Sequence, residues 1–385
     1  MIPYGKQDIQ KEDIQAVIDV LNSDFLTQGP VVENFENAIS RKVSSKYAFA
    51  VNSATSALHL GCIAMGLSPD DTVWTTPITF VASANCARYC GANIDFVDIN
   101  IESINLCPVK FNEKLAWAKS NNKLPKILIV THMGGLPCEM EKIYELAKEH
   151  NIGIIEDASH AIGAKYNNDY IGNSKYSDLT IFSFHPVKII TTGEGGMLLT
   201  NNDQIAQRVR LLRTHGITRN LDEMLDQSQG PWYYEQHDLG FNYRMTEIQS
   251  ALGLSQLNRL DEYVSKRNNL SDIYDSAFQS SPVHIVPKFD HLYSSKHLYL
   301  IRIDISKTNV SRDALFNNLR NEGIGVNVHY IPVHLQPYYR KLGFKHGDFP
   351  DAEKYYAEAI SLPLHVNLSS SEQEFIIETV KRLIV

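Results

Sequence analysis

Residues 127–160 read ILIVTHMGGLPCEMEKIYELAKEHNIGIIEDASH, and this stretch decides the fold class. Ile127–Thr131 is a short unbroken apolar run, Glu139–His150 is helix-like, and Ile152–Ile155 is apolar again. Strand, helix and strand in roughly 30 residues make one βαβ crossover, and a strand covered on both faces reads as continuous Val, Ile and Leu.

The same alternation runs outward on both sides. Tyr47–Val51, Thr72–Thr76, Ile94–Val97, Leu179–Phe184 and Met197–Thr200 read as further strands, with helix-like segments such as Ala54–Met65 and Phe80–Cys90 between them. The expected class is α/β, a mostly parallel sheet whose ligands sit at the carboxyl ends of its strands. Upstream, Ile14, Val17, Ile18 and Leu21 fall at i, i+3, i+4 and i+7 and predict an amphipathic helix. The turn Thr27-Gln28-Gly29-Pro30 then opens a second helix, with Pro30 at the first position, where a missing N–H is harmless. Near Met245 the alternation stops. Met245–Phe278 reads as one long helical region, followed by strands at His297–Ile305 and Gly325–His329 and a last helix from Ser371. The expected domains are a large α/β unit, 1–260, and a small α+β unit, 261–385.

Composition narrows the function. Of 385 residues, 43% are hydrophobic and 21% charged, so the chain has material for a large core. Lys+Arg number 36 and Asp+Glu 44, a net charge of −8, which excludes a broad basic nucleic-acid surface. Any anionic ligand must therefore be held by local donors. No apolar stretch approaches the ~18 residues of a membrane span, and the N-terminus lacks an apolar signal region. Cys62, Cys86, Cys90, Cys107 and Cys138 have neither a disulfide-framework pattern nor metal-ligand spacing. The expectation is a cytoplasmic protein with no metal, nucleic-acid or membrane partner.

Four segments carry chemistry. In Val51-Asn-Ser-Ala-Thr-Ser-Ala-Leu58 a strand ends and a helix starts, so free N–H groups and the hydroxyls of Ser53, Thr55 and Ser56 suit an anion. Alone, such a segment is more often an ordinary Ser/Thr cap. Ile154-Ile-Glu-Asp-Ala-Ser-His160 delivers Glu156 and Asp157 to a strand's carboxyl end, where a carboxylate can hold a protonated ring nitrogen or simply cap a helix. His160 has no partner at metal-ligand spacing. In Phe182-Ser-Phe-His-Pro-Val-Lys-Ile-Ile-Thr-Thr-Gly-Glu-Gly-Gly196, Lys188 follows a strand among apolar and hydroxyl residues. Such a lysine can be neutral and form a Schiff base with an aldehyde, although most loop lysines are merely solvated. Finally Gly240, Asn242 and Arg244 precede the long helix, where they could meet a phosphate or carboxylate or form only a turn and cap. No strand-GxGxxG-helix, GxxxxGK[ST] or G-x-S-x-G motif is present.

Together, NSATSAL (52–58), TTPITFVASAN (75–85), EDASHAIG (156–163), SFHPVKIITTGEGG (183–196), RTHGI (213–217) and GFNYRMTEIQSALGLSQL (240–257) resemble the motif set of the DegT/StrS sugar-nucleotide aminotransferases. These are pyridoxal 5'-phosphate (PLP) enzymes of fold type I, and the likeness runs in the family's order from LTQGP (26–30) to VHYIP (328–332). LTQG, NSATSAL, SFH and EIQSALGLSQL are shared with the branch that serves pseudaminic acid biosynthesis.

The resemblance implies roles position by position. Lys188 would carry PLP and shuttle the proton. Asp157 would pair the pyridinium nitrogen, Phe80 would stack on the ring, and His160 would lie near the cofactor's hydroxyl or one layer behind it. Ser53, Ala54, Thr55 and Ser183 would hold the phosphate, with Asn242 reaching it from the partner subunit of a homodimer with shared active sites. Tyr4, the turn Thr27, Gln28 and Gly29, and His329 and Tyr330 would surround the sugar nucleotide. Ile189 departs from the pattern, since many relatives are polar there. Lysine at 188 argues against the branch that carries histidine and dehydrates its substrate.

The implied activity is amino transfer from L-glutamate to C4 of a UDP-linked 4-keto-6-deoxy-N-acetylhexosamine, forming UDP-4-amino-4,6-dideoxy-N-acetyl-beta-L-altrosamine. Alternatives are C4 amination of another sugar nucleotide (bacillosamine or 4-amino-arabinose type), C3 amination of a dTDP-keto-sugar, or a PLP-binding regulator without catalysis.

Overall fold

The apolar runs pair into one sheet of seven strands: β1 (Tyr47–Val51), β2 (Thr72–Thr75), β3 (Asn93–Phe96), β4 (Ile127–Thr131), β5 (Gly153–Asp157), β6 (Leu179–Ser183) and β7 (Gly196–Thr200). A computed structural model, describing residues 1–226 and 230–384, places them in the order β1-β7-β6-β5-β4-β2-β3. Only β7 runs against its neighbours; the other six strands are mutually parallel.

Alternate residues feed two apolar clusters, one per face. Phe49, Val51, Ile127, Ile129 and Ile155 enter one cluster, whereas Ala48, Ala50, Leu128, Val130 and Ile154 enter the other. Two covered faces explain why these strands read as continuous apolar runs and not as alternating ones.

The helices α1 (Lys11–Leu21) and α2 (Pro30–Val43) precede the sheet, and Pro30 does occupy the first position of α2. Between the strands run α3 (Ala54–Ala64), α4 (Ala82–Tyr89), α5 (Pro108–Ser120) and α6 (Met140–Lys148), with α7 (Asp203–Leu212) after β7. The long helical region beyond Met245 is two helices, α8 (Glu247–Leu257) and α9 (Leu260–Phe278), and not one. At the break, Asn258 and Arg259 bond back only three residues, to Ser255 and Gln256, and Arg259 leaves helical geometry at φ −105° and ψ 4°. Its guanidinium is drawn to Asp13 and to the Tyr263 hydroxyl.

The rest of the chain builds a three-stranded antiparallel sheet from β8 (Val283–Ile285), β9 (Tyr299–Ile303) and β10 (Ala359–Leu362). The run Gly325–His329 is not a strand. Gly325 N–H bonds to Ile2 O at 2.7 Å, Asn327 exchanges bonds with Ser361, and Val328 N–H is taken by Asn327 Oδ1. Its groups go to successive different partners, so no ladder forms. The pairing with Ile2 draws the N-terminus in and delivers Tyr4 to the same region.

Candidate active site

The register of the sheet assembles the site. Val51 and Ser183 both stand opposite Gly196, and Thr131 and Ile181 flank Asp157. The carboxyl ends of β1, β4, β5 and β6 thus meet at one edge, which is where such sheets bind ligands. A cavity of about 680 Å³ opens there. Its lining includes Tyr4, Ser53, Ala54, Thr55, Phe80, Asp157, His160, Ser183, Lys188, His329 and Tyr330.

At the start of α3 the Ser53 hydroxyl accepts Ser56 N–H at 3.1 Å, so Ser53 is a genuine cap. That leaves the N–H groups of Ala54 and Thr55, which no helical carbonyl can reach, at the cavity wall beside the Ser183 hydroxyl. Capping and anion binding are compatible here, because the cap uses the third N–H and the ligand would use the first two. The approach is close: a Cβ on Gly196 would stand 2.5 Å from Ala54 N, so only glycine lets β7 begin there.

Strand alternation separates the two acids of β5. Glu156 faces away, where it takes His132 Nε2 at 2.8 Å, Ser177 Oγ at 2.5 Å and Thr180 Oγ1 at 3.3 Å. Asp157 faces the cavity, accepting Ser83 Oγ at 2.5 Å and Ser159 N–H at 3.1 Å. Ser83 stands in the quoted TTPITFVASAN segment, but nothing in its local spacing marks it as the aspartate's partner.

Lys188 sits in the turn after β6, where its N–H bonds to His185 O at 2.9 Å and Thr192 N–H to Phe184 O at 3.0 Å. Burial pushes its ammonium down to about 8, and the negative charge of Asp157 opposes that shift. No hydrogen bond or ion pair engages its Nζ among the described residues. Ile189 packs into the apolar cluster on the far face of the sheet and does not line the cavity.

His160 is buried, with Gly134 N–H on its Nδ1 at 3.3 Å and Tyr330 Oη 3.1 Å from its Nε2. His329 bonds Ser361 Oγ through Nδ1 at 2.7 Å, and burial pushes it down to about 4. Phe80 is exposed to the opening, 6.1 Å ring to ring from Tyr330. His297, Gln336 and Glu194 also line the cavity; Glu194 stands in the quoted SFHPVKIITTGEGG segment but carried no assigned role, and His297 and Gln336 come from segments whose sequence offered no motif.

Asn242 and the turn Thr27, Gln28 and Gly29 do not join them. Asn242 is exposed and bridges Thr214, while Gly29 N–H bonds to Glu247 Oε1 at 3.0 Å, as do Val31 and Val32 to the same carboxylate. Among the described residues no cluster of His, Cys, Asp and Glu could hold a metal, and no helix is long and apolar enough to cross a membrane.

Comparison with known proteins places this geometry. A model of the DegT/DnrJ/EryC1/StrS aminotransferase family matches residues 7–381. The spore coat polysaccharide biosynthesis protein SpsC of Bacillus subtilis is 38% identical over 100% of this chain and 97% of its own. The UDP-4-amino-4,6-dideoxy-N-acetyl-beta-L-altrosamine transaminase of Campylobacter jejuni is 37% identical over 98% of this chain and 96% of its own. Among solved structures, Helicobacter pylori PseC, an aminotransferase involved in pseudoaminic acid biosynthesis, superposes at TM-score 0.90 with 33% identity, covering 100% and 99% of the two chains. The PLP form of the sugar aminotransferase Spr1654 from Streptococcus pneumoniae gives TM-score 0.89 and 29% identity over 99% and 98%.

The cofactor is PLP, and the donor set fits it. Two free N–H groups with Ser53 and Ser183 suit the phosphate, Asp157 suits a ring nitrogen, Phe80 offers an aromatic face, and Lys188 brings an amine that none of the described residues engages.

Proposed function

The chain belongs to the DegT/DnrJ/EryC1/StrS aminotransferase family, and on that premise we propose that it moves an amino group from L-glutamate to C4 of a UDP-linked 4-keto-6-deoxy-N-acetylhexosamine. It is a PLP-dependent sugar aminotransferase, so a purely regulatory role is set aside. The observation that supports the substrate is the transaminase relative, 37% identical along nearly the whole of both chains, whose name gives the 4-amino form of such a UDP-sugar. Five free cysteines accord with a reducing cytoplasm.

When bound, PLP supplies an electrophilic aldehyde and a ring that accepts electrons. The Ala54 and Thr55 N–H groups, with the hydroxyls of Ser53 and Ser183, would hold its phosphate. Asp157, fixed by Ser83 and Ser159, keeps a cationic ring nitrogen protonated. Lys188, whose amine burial pushes down to about 8, would hold the aldehyde and would move the proton at the reacting carbon. Glutamate leaves as 2-oxoglutarate in one half-reaction, and the keto-sugar gains the amine in the other. Tyr4, His329 and Tyr330, which also line the cavity, would face the sugar.

We take the working unit to be a homodimer with shared active sites. Ile14, Ile18, Leu21, Phe25 and Leu26 are exposed together on and after α1, an apolar face that asks for a cover. Asn242 and Thr27, Gln28 and Gly29, outside their own chain's cavity, are then free to serve a neighbour's.

SpsC, at 38% identity, favours a second reading in which the sugar nucleotide differs, whether of bacillosamine or 4-amino-arabinose type or a dTDP-3-keto-sugar. Incubation of the holoenzyme with glutamate and a panel of these keto-sugars, with mass-spectrometric detection of the amino-sugar, decides. Turnover of the UDP-4-keto-6-deoxy-N-acetylhexosamine is expected to exceed the others; preference for a different sugar overturns the first reading and leaves the class intact.

A further inference from the structure

We propose that the Tyr330 hydroxyl donates a hydrogen bond to an oxygen of the molecule held in the cavity, and that His160 is the positioning residue that aims it. This rests on the aminotransferase reading and adds to it the group that steers a bound oxygen.

The argument starts from one backbone N–H. Gly134 N–H donates to His160 Nδ1 at 3.3 Å, and a donor needs a lone pair, so Nδ1 carries no proton. In a neutral imidazole the proton is then on Nε2. Nε2 lies 3.1 Å from Tyr330 Oη, so the phenol oxygen accepts and its own hydrogen points elsewhere. No other partner engages Tyr330 Oη among the described residues, and the residue lines the cavity. The free direction is the cavity.

The surroundings keep this arrangement in one state. His160 is held well below its usual range by burial and by the charge of Lys188. The buried ring of His297 packs 4.4 Å from it and is likewise held neutral by burial. Behind His297, the buried guanidinium of Arg267 donates to the carbonyls of His297 at 3.3 Å and Leu364 at 2.9 Å, adding a positive charge that disfavours another. Burial raises the Tyr330 phenol well above its ordinary value, so it keeps its proton. Its ring lies nearly parallel to His160, at 20°, and Tyr355 Oη ties the preceding carbonyl at 2.6 Å.

One consequence concerns His160 itself. Both its nitrogens are engaged with the protein, so neither is left for the bound molecule, and it acts through Tyr330. The oxygen that Tyr330 meets has two possible sources with the same acceptor chemistry: the ring oxygen beside the cofactor's aldehyde, or an oxygen of the sugar.

The test uses the holoenzyme and Tyr330→Phe. If the acceptor is on the cofactor, the variant's visible absorption maximum shifts and both half-reactions slow. If it is on the sugar, spectrum and glutamate half-reaction are unchanged, while kcat/KM for the keto-sugar falls roughly ten- to hundredfold, as expected for a hydrogen bond to a polarised oxygen. Spectrum and both half-reactions within about twofold of the parent overturn the proposal. His160→Phe should repeat the Tyr330→Phe pattern and the double variant should add little to either; additive losses overturn the positioning role. Should Tyr330→Phe fail to fold, the histidine ¹⁵N spectrum of the parent holoenzyme still decides, since a proton on His160 Nδ1 breaks the chain at its first link. A parent enzyme whose spectrum does not respond to glutamate refutes the aminotransferase reading instead, and the ¹⁵N result stands apart from it.

Discussion

Ser83 donates to Asp157 across the interface of α4 and β5, Oγ to Oδ2 at 2.5 Å. Ser83 is itself held by Thr79 Oγ1 at 2.8 Å, and Thr79 by Thr131 Oγ1 at 3.0 Å. The carboxylate is thereby fixed in rotation, with one oxygen on Ser83 and the other on Ser159 N–H. A hydrogen bond to a charged group contributes about 1.5–3 kcal/mol. Ser83→Ala is therefore expected to weaken PLP retention about tenfold or more, measured by equilibrium dialysis. Unchanged retention would show that Ser159 alone orients Asp157.

The pH dependence of cofactor capture follows from Lys188. Below about 8 its amine is mostly an ammonium and cannot attack an aldehyde; above it the amine is free. Capture of PLP by the apoenzyme, followed at the visible edge, should rise with pH through about 8 and then level off. Lys188→Ala should abolish both the band and turnover. Asp157→Asn carries a sharper sign: the Asp157 charge raises the lysine's affinity for its proton, so its removal should move the capture midpoint below 8. It should also slow turnover greatly while PLP still binds, because a neutral amide does not keep the ring protonated. A midpoint that moves upward contradicts the assignment.

The strands were legible because a sheet covered on both faces writes itself as apolar runs, and all seven central strands fall where those runs do. Ser53, Ala54, Thr55, Asp157, His160, Ser183 and Lys188 converge for the same reason, since each sits at or just past a strand's carboxyl end, whereas Asn242 and the Thr27–Gly29 turn follow no such strand and stay outside the cavity. Two kinds of feature were not legible. Glu156 and Asp157 look alike in sequence, and only the pleat decides that one faces His132 and the other the cavity. The break at Asn258–Arg259 is set by Asp13, 246 residues away from Arg259, and no local propensity records it. Gly325–His329 has the composition of a strand but shares out its backbone bonds among Ile2, Ser361 and its own Asn327 side chain. The relay from Gly134 through His160 to Tyr330 joins three distant segments, and each residue alone reads as ordinary packing.

That long-range bond gives a stability prediction. Asp13 is fully buried, and its carboxylate accepts Arg259 Nη2 at 2.6 Å, Ser255 Oγ at 2.6 Å and Gln256 Nε2 at 2.9 Å. Burial alone would raise its pKa, but Arg259, Gln10 N–H, Ser255 and Gln256 together hold it below 3.8. A depressed carboxyl stabilises the fold above its unfolded value and loses that contribution as pH falls through the folded one, here below 3.8. Arg259→Met leaves a buried charge unpaired. The cost should be about 3 kcal/mol at pH 7, the low end for a broken buried pair because the Arg259 side chain is 15% exposed. Denaturant unfolding at pH 7 and pH 4 checks it, and the variant's deficit should shrink at the lower pH, where the orphaned carboxyl can take up a proton. An equal deficit at both values would mean that the arginine acts by packing alone.

The apolar face of α1 gives the last prediction. Val20 and Asp13 turn inward from this helix, while Ile14, Ile18 and Leu21 are 53%, 41% and 55% exposed, and Phe25 and Leu26 continue the patch. Five large apolar side chains on one surface are stabilised by a cover that removes them from water, and a second copy of the chain offers the same patch to itself about a twofold axis. Ile18→Glu with Leu21→Glu would place four unpaired carboxylates in that interface, each costing several kcal/mol to desolvate. The variant should sediment as a monomer at micromolar concentration, whereas the parent should sediment as a dimer. Its own cavity would stay intact, since none of these residues lines it. On the proposed shared site, turnover should nevertheless fall, because Asn242 and the Thr27–Gly29 turn would no longer reach a neighbouring cavity. A variant that is monomeric and fully active would retain the fold and the chemistry of Lys188 but remove the shared site; a variant that stays dimeric would move the interface to another face.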